Sequence, residues 1–254
     1  MNKTLDEPGV GLHSFYRLTG AAGLAGGVLA IVANALHPRQ SPGKLGDVKD
    51  FMSIIDGFAL WRLVHLLIIT SVLLSMFGLI GIARVLTDEG RSPWANLCLP
   101  LGVLMGAVAA VSFAIDGFVM GGAAEQWAHS HLVEAVGDHF QPRAVAIHEA
   151  LQRAETLSLI DGAVFAVAIM GLFGAAQLVY ALALLKSDAF PGWTGVVGLV
   201  GGLGGLLSGS LMWMTGGFDV FNFLVLFTLT SVLFTAWLIG CSLVLYKRGA
   251  PAPS

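Results

Sequence analysis

Six apolar stretches, each long enough to cross a bilayer as a helix, leave this chain few folds to choose from. They run from Leu18 to Leu36, Leu60 to Leu86, Trp94 to Met120, Thr156 to Leu185, Trp193 to Met214 and Val220 to Tyr246. Hydrocarbon offers backbone N–H and C=O groups no partner, so a stretch of this length satisfies them internally, as a helix. Composition agrees: 56% of the 254 residues are hydrophobic and 11% charged, and the mean hydropathy is +0.81. We therefore expect an all-α integral membrane bundle of six transmembrane helices, forming one polytopic domain over residues 1–254.

The net charge of -3 and the scatter of Lys and Arg exclude nucleic acid and polybasic lipid recognition. Cys98 and Cys241 both fall inside apolar runs, which leaves no disulfide framework and no CxxC motif. Ala33-Asn34-Ala35 has the form of a signal-peptidase site. The run before it is long enough to span and its lead-in carries Asp6 and Glu7, so we expect a retained helix.

The second and fourth connections are short, whereas the first and third are long and polar, so the chemistry gathers on one side. Lys3, Arg17, Arg84, Arg91, Lys186, Lys247 and Arg248 lie with the termini and short loops; Arg39, Lys44, Lys49, Arg62, Arg143 and Arg153 lie opposite. The first set is packed into the shorter loops, which points to cytoplasmic termini. In the third connection, Trp127, Leu132, Val133, Val136 and Phe140 alternate with polar residues, the pattern of an amphipathic helix at the mouth of the bundle.

Glycine dominates the first span (Gly20, Gly23, Gly26, Gly27) and the fifth (Gly195, Gly198, Gly201, Gly202, Gly204, Gly205, Gly209). Such faces let helix backbones approach closely. They serve packing within the chain or, as the sharper alternative, a homo-oligomer through either helix. Pro100, early in the third span, is expected to kink it or to sit within its first turns.

Ile-Asp-Gly occurs three times, at Asp56, Asp116 and Asp161, each at the same mouth of the bundle. Asp56 reads as an ordinary N-cap of the second span. Asp116 and Asp161 stand inside apolar sequence, where a carboxylate needs a partner, a proton or water. Six of the seven histidines share that face: His37, His65, His129, His131, His139 and His148. Arg62 and His65 share one side of the second span, and His148, Gln152 and Glu155 are spaced for one face of the fourth.

A polar pocket built from Arg62, His65, Asp116, His148, Glu155 and Asp161 follows, able to bind a small molecule, a lipid headgroup or an ion. Asp116, Asp161 and His65 are also the candidates for acid/base catalysis on a lipophilic substrate, although no reaction and no cofactor is specified. His65, His148 and Glu155 are the weaker candidates for metal ligands; without HExxH or a comparable spacing, solvated or hydrogen-bonded histidines are the preferred reading. A third possibility is an accessory membrane subunit whose polar pairs only lock its helices. A transporter is disfavoured, because the last two spans carry no charge between Trp193 and Tyr246 apart from Asp219 in the turn.

Four short motifs carry a resemblance: Arg17-Leu18-Thr19-Gly20, Trp61-Arg62, Ala83-Arg84-Val85-Leu86 and Phe190-Pro191-Gly192-Trp193-Thr194-Gly195. In these and in its layout the chain resembles a broad group of bacterial integral membrane proteins grouped under a domain of unknown function. The resemblance implies a bacterial inner-membrane protein and no particular activity. The histidine-bearing third connection departs from the pattern of that group.

Overall fold

The computed structural model describes residues 8–38, 48–132, 140–215 and 225–250, which are helical with no strand among them. The helices are α1 (Pro8–Leu36), α2 (Val48–Gly57), α3 (Trp61–Glu89), α4 (Ala95–Ala114), α5 (Gly121–Leu132), α6 (Phe140–Ala168), α7 (Gln177–Leu184), α8 (Gly192–Thr215) and α9 (Thr228–Arg248). Two π-helical segments, Ile115–Met120 and Ile169–Ala176, join α4 to α5 and α6 to α7 without a break. Seven continuous helical stretches result among the described residues, and all but α2 are long and apolar enough to cross a membrane. This is an integral membrane protein with the expected six-span architecture.

The spans pack in chain order around a closed ring. α1 lies against α3, α3 against α4, α4 against α6 and the second π segment, that segment and α7 against α8, α8 against α9, and α9 against α1. Lipid supplies no hydrophobic drive between helices, so close backbone packing holds the ring together. On α8, Val196, Val200, Leu203 and Leu207 are more than half exposed, as a lipid-facing stripe must be. The glycines face inward. A Cβ on Gly202 would stand 2.6 Å from Leu178 Cγ, and one on Gly209 2.8 Å from the Ala166 carbonyl. In α1, Gly20 is pressed against the Tyr246 backbone and Gly26 against Ser75, while Ser71 donates to the Gly26 carbonyl at 3.0 Å. Both glycine faces are thus filled from within the chain.

One face of the bundle carries the ends of α1 and α9, with His13 Nδ1 3.2 Å from the Arg248 carbonyl. The two short connections lie there as well, and Arg91 pairs across them with Asp188. The long connections and all three Ile-Asp-Gly sequences belong to the opposite mouth. Pro100 is accommodated in the second turn of α4.

That mouth differs from expectation in two respects. The first connection contains a helix, α2, which buries Met52 and Ile55 and leaves Asp56 exposed. Asp56 consequently sits at the end of α2 and caps nothing. α3 starts after Leu60 with no side-chain cap, because the chain turns through the Phe58 carbonyl, which accepts from Trp61 N at 2.9 Å. The helix expected in the third connection is α5, but it continues straight out of the third span instead of turning away. It packs on α2 and α6, burying Ala124 and half-burying Trp127. The rest of that expected segment, residues 133–139, lies outside the described residues.

Candidate functional site

The second span opens with Trp61-Arg62-Leu63-Val64-His65, and one helical turn separates Trp61 from His65. The two rings lie together with centroids 4.4 Å apart. His65 is completely buried. Its Nδ1 is 2.8 Å from the Trp61 carbonyl oxygen; a carbonyl only accepts, so Nδ1 carries the proton and donates. Nε2 is thereby left to face Asp116 Oδ2 at 2.9 Å. Imidazole lone pair and carboxylate are both acceptors, so this contact needs a proton or a cation between them.

Asp116 reaches His65 because it stands in the first π segment. A π turn widens the helix and changes the direction in which side chains leave it. The Trp61 indole Nε1–H donates to the Asp116 carbonyl at 3.2 Å, so Trp61 anchors both members of the pair. Gly117 completes the arrangement: a Cβ here would overlap the His65 Cβ.

Two further groups join this pair. His37 follows the last turn of α1, its backbone N–H donating to the Ala33 carbonyl at 2.9 Å. Its ring lies 5.3 Å from His65 and 5.4 Å from Trp61, centroid to centroid. Burial lowers the His37 pKa and the neighbouring His65 lowers it further, with Asp116 opposing; this favours the neutral imidazole. One ligand atom each from His37, His65 and Asp116 lie within 4.8 Å of one another. Asp161, on α6, is 4% exposed, and its Oδ1 is buried with no hydrogen-bond partner. It lies within electrostatic reach of Asp116. Among the described residues, no lysine or arginine pairs with either carboxylate.

Apolar clusters bound the site on both sides. Met52, Ile55, Met120, Ala124 and Ala154 gather with Trp61 at the mouth; Ala33, Val64 and Ile68 lie deeper along the helices. Low polarizability around the four groups strengthens every charge interaction among them.

Of the residues singled out from sequence, the fold brings His65, Asp116 and Asp161 together. Arg62 points elsewhere, pairing with Glu125 at 2.8 Å, both side chains at least half exposed. His148 is exposed beside Gln152 at 3.1 Å, and Glu155 is exposed. Glu149 and Arg153 form the expected surface pair on α6, 3.5 Å apart. They line a groove of about 540 Å³ with Phe118, Gln126 and Leu157, which none of the four clustered residues enters. His37 is the member that sequence reasoning placed on the right face without assigning it to the site. Its signal was position, since it immediately follows the last apolar residue of the first span.

Two imidazoles and two carboxylates, buried or half-buried and without a basic partner among the described residues, can hold a cation or exchange protons. No protein-family model, curated protein or solved structure matches this chain.

Proposed function

We propose that this multi-pass membrane protein binds a small cationic ligand at the cluster of His37, His65, Asp116 and Asp161. The observation that carries this reading is the buried Oδ1 of Asp161, without a hydrogen-bond partner and within electrostatic reach of a second carboxylate. Two like charges in an apolar site repel and are poorly solvated, and a bound cation offsets both penalties. An anion, or a lipid phosphate, would need a basic group, and none pairs with this cluster among the described residues.

The test is thermal unfolding of the full chain, purified in mild detergent, against a series of inorganic and organic cations and anions. A ligand at 100 times its Kd stabilises a folded protein by about 2.7 kcal/mol. We expect cations to raise Tm in the wild-type chain and to lose this effect in Asp116→Asn. Stabilisation by phosphate, or by no ligand, would refute the reading; a variant that is merely less stable would point to a polar pair that locks helices.

The cluster lies at the mouth opposite both chain ends, and the weighting of Lys and Arg toward the short loops supports placing that mouth outside the cytoplasm. A fluorescent reporter fused after Ser254, of a kind that matures only in the cytoplasm, should therefore light up in a bacterial inner membrane. A dark, membrane-inserted fusion means the opposite orientation.

A further inference from the structure

We infer that the cation is a transition-metal ion of the zinc class, held by His37, His65 and Asp116, with Asp161 supplying the second negative charge. This rests on the cation-binding reading above and names its ligand.

The donor set comes first. Imidazole nitrogen combined with carboxylate oxygen suits zinc and its first-row neighbours, whereas calcium and magnesium take oxygen ligands almost exclusively. Alkali ions gain little from imidazole. Two histidines and an aspartate converging from the residue that follows α1, from α3 and from the π segment after α4 form a ligand set that ordinary helix packing does not require.

The second argument is orientation. Metal-bound histidines characteristically donate their other ring N–H to a carbonyl or carboxylate, which fixes the tautomer and turns the remaining lone pair toward the metal. His65 does this through Nδ1 and the Trp61 carbonyl at 2.8 Å. His37 repeats the pattern, its Nδ1 lying 3.3 Å from the Pro38 carbonyl. Both rings therefore keep Nε2 as the ligand nitrogen, and Asp116 offers Oδ2 to the first of them.

Distances fit with small adjustments. Zinc bonds of about 2.0 to 2.2 Å place neighbouring donors of a tetrahedron roughly 3.4 Å apart. The 2.9 Å contact between His65 and Asp116 opens by about half an ångström to admit the ion. The widest separation in the triad, at most 4.8 Å, closes by about 1.4 Å. His37 can supply that movement, since it lies beyond the last helical residue of α1 and is only half-buried.

Charge supplies an independent argument. A divalent ion on two neutral imidazoles and one carboxylate leaves a net positive charge in an apolar setting. The Asp161 carboxylate, buried and lacking a hydrogen bond at Oδ1, neutralises it. Three protein ligands that leave a fourth position unfilled by the chain make the open form of a zinc site, as opposed to the closed, four-ligand structural form.

The experiment uses the full chain in detergent, stripped with a chelator, then equilibrated with Zn²⁺ or Co²⁺ and freed of excess metal. Elemental analysis gives stoichiometry, and the visible absorption of bound Co²⁺ reports its coordination. We expect one ion per chain, a cobalt spectrum of tetrahedral type, and a loss of affinity of at least about 10-fold in His37→Gln and in Asp116→Asn. His37→Gln keeps the test decisive should Asp116→Asn fail to fold, because His37 lies at the edge of the packed structure. Equal metal binding by wild type and both variants overturns the inference. So does a chain that binds neither metal yet is stabilised by other cations through Asp116, an outcome that leaves the cation-binding reading standing. A chain indifferent to all cations overturns both.

Discussion

Gly205→Ala should abolish the folded protein, whereas Leu203→Ala, two residues earlier on the same helix, should be almost silent. The first would drive a methyl group into the Phe173 carbonyl and to within 2.7 Å of the Gly174 amide nitrogen. Both obstacles are backbone, in a π segment already committed by its own hydrogen bonds, so no side-chain rotation relieves the clash. The two helices must separate along their whole seam, which Gly201, Gly202 and Gly209 share. Overpacking in a core typically costs about 1–3 kcal/mol, and a backbone collision in a helix seam belongs at or above the top of that range. Leu203 is 55% exposed to lipid, and truncating it changes stability by about 0.5 kcal/mol or less. The yield of monodisperse protein after detergent extraction measures both. Equal yields would mean that the seam between α8 and the fourth span does not hold the bundle.

The second large effect separates the three Ile-Asp-Gly sequences. Gly117→Ala should destroy the site, while Gly57→Ala and Gly162→Ala should leave it intact. A Cβ at Gly117 would overlap the His65 Cβ, an atom fixed to the α3 backbone that cannot swing aside. His65 must then withdraw from Asp116, and cation-dependent stabilisation should fall by at least about 10-fold in affinity. Around Gly57 and Gly162 nothing lies within 4 Å. Alanine at Gly162, inside α6, adds helix propensity worth about 0.5–1 kcal/mol, whereas Gly57 closes α2 and gains less. Ligand-induced shifts in Tm across the three variants decide the matter. A Gly117→Ala chain that responds like wild type would show that the approach of the π segment to α3 does not build the site.

That contrast also shows how far the sequence carries. The repetition of Ile-Asp-Gly points to the mouth of the bundle where His65 and Asp116 meet, and hydropathy locates all six spans, because a lipid-crossing helix must advertise its length in apolar residues. What the tripeptide could not convey is that its three copies occupy three different settings: exposed at the end of α2, inside a π turn, and buried on α6. Those settings depend on distances between helices. The ten residues of α2 bury Met52 and Ile55 on one side only, too short a pattern to stand out from a polar connection. Arg62 belongs with Asp116 in the expected pocket because both lie near one mouth. Its partner is Glu125 on α5, a pairing set by the direction in which that expected helix leaves the third span. The sequence puts His37 on that face but outside the expected pocket, since a histidine just past a span is ordinarily a solvated residue. Only the folded neighbourhood of Trp61 and His65 turns it inward.

The π segment at Ile115–Met120 gives this arrangement a mechanical property. A π turn holds one residue more than an α turn, and each residue rotates an α-helix by about 100°. The helix before it keeps the register that packs α4 on α3, and the helix after it keeps a different register that packs α5 on α2 and α6. Asp116 occupies the joint between the two. Tightening the segment to regular α-helix would turn the whole of α5 relative to α4, so the carboxylate's aim and the closure of the mouth form a single coordinate. The cluster is thereby coupled through the π segment to α5 and to the faces of α2 and α6 on which α5 packs.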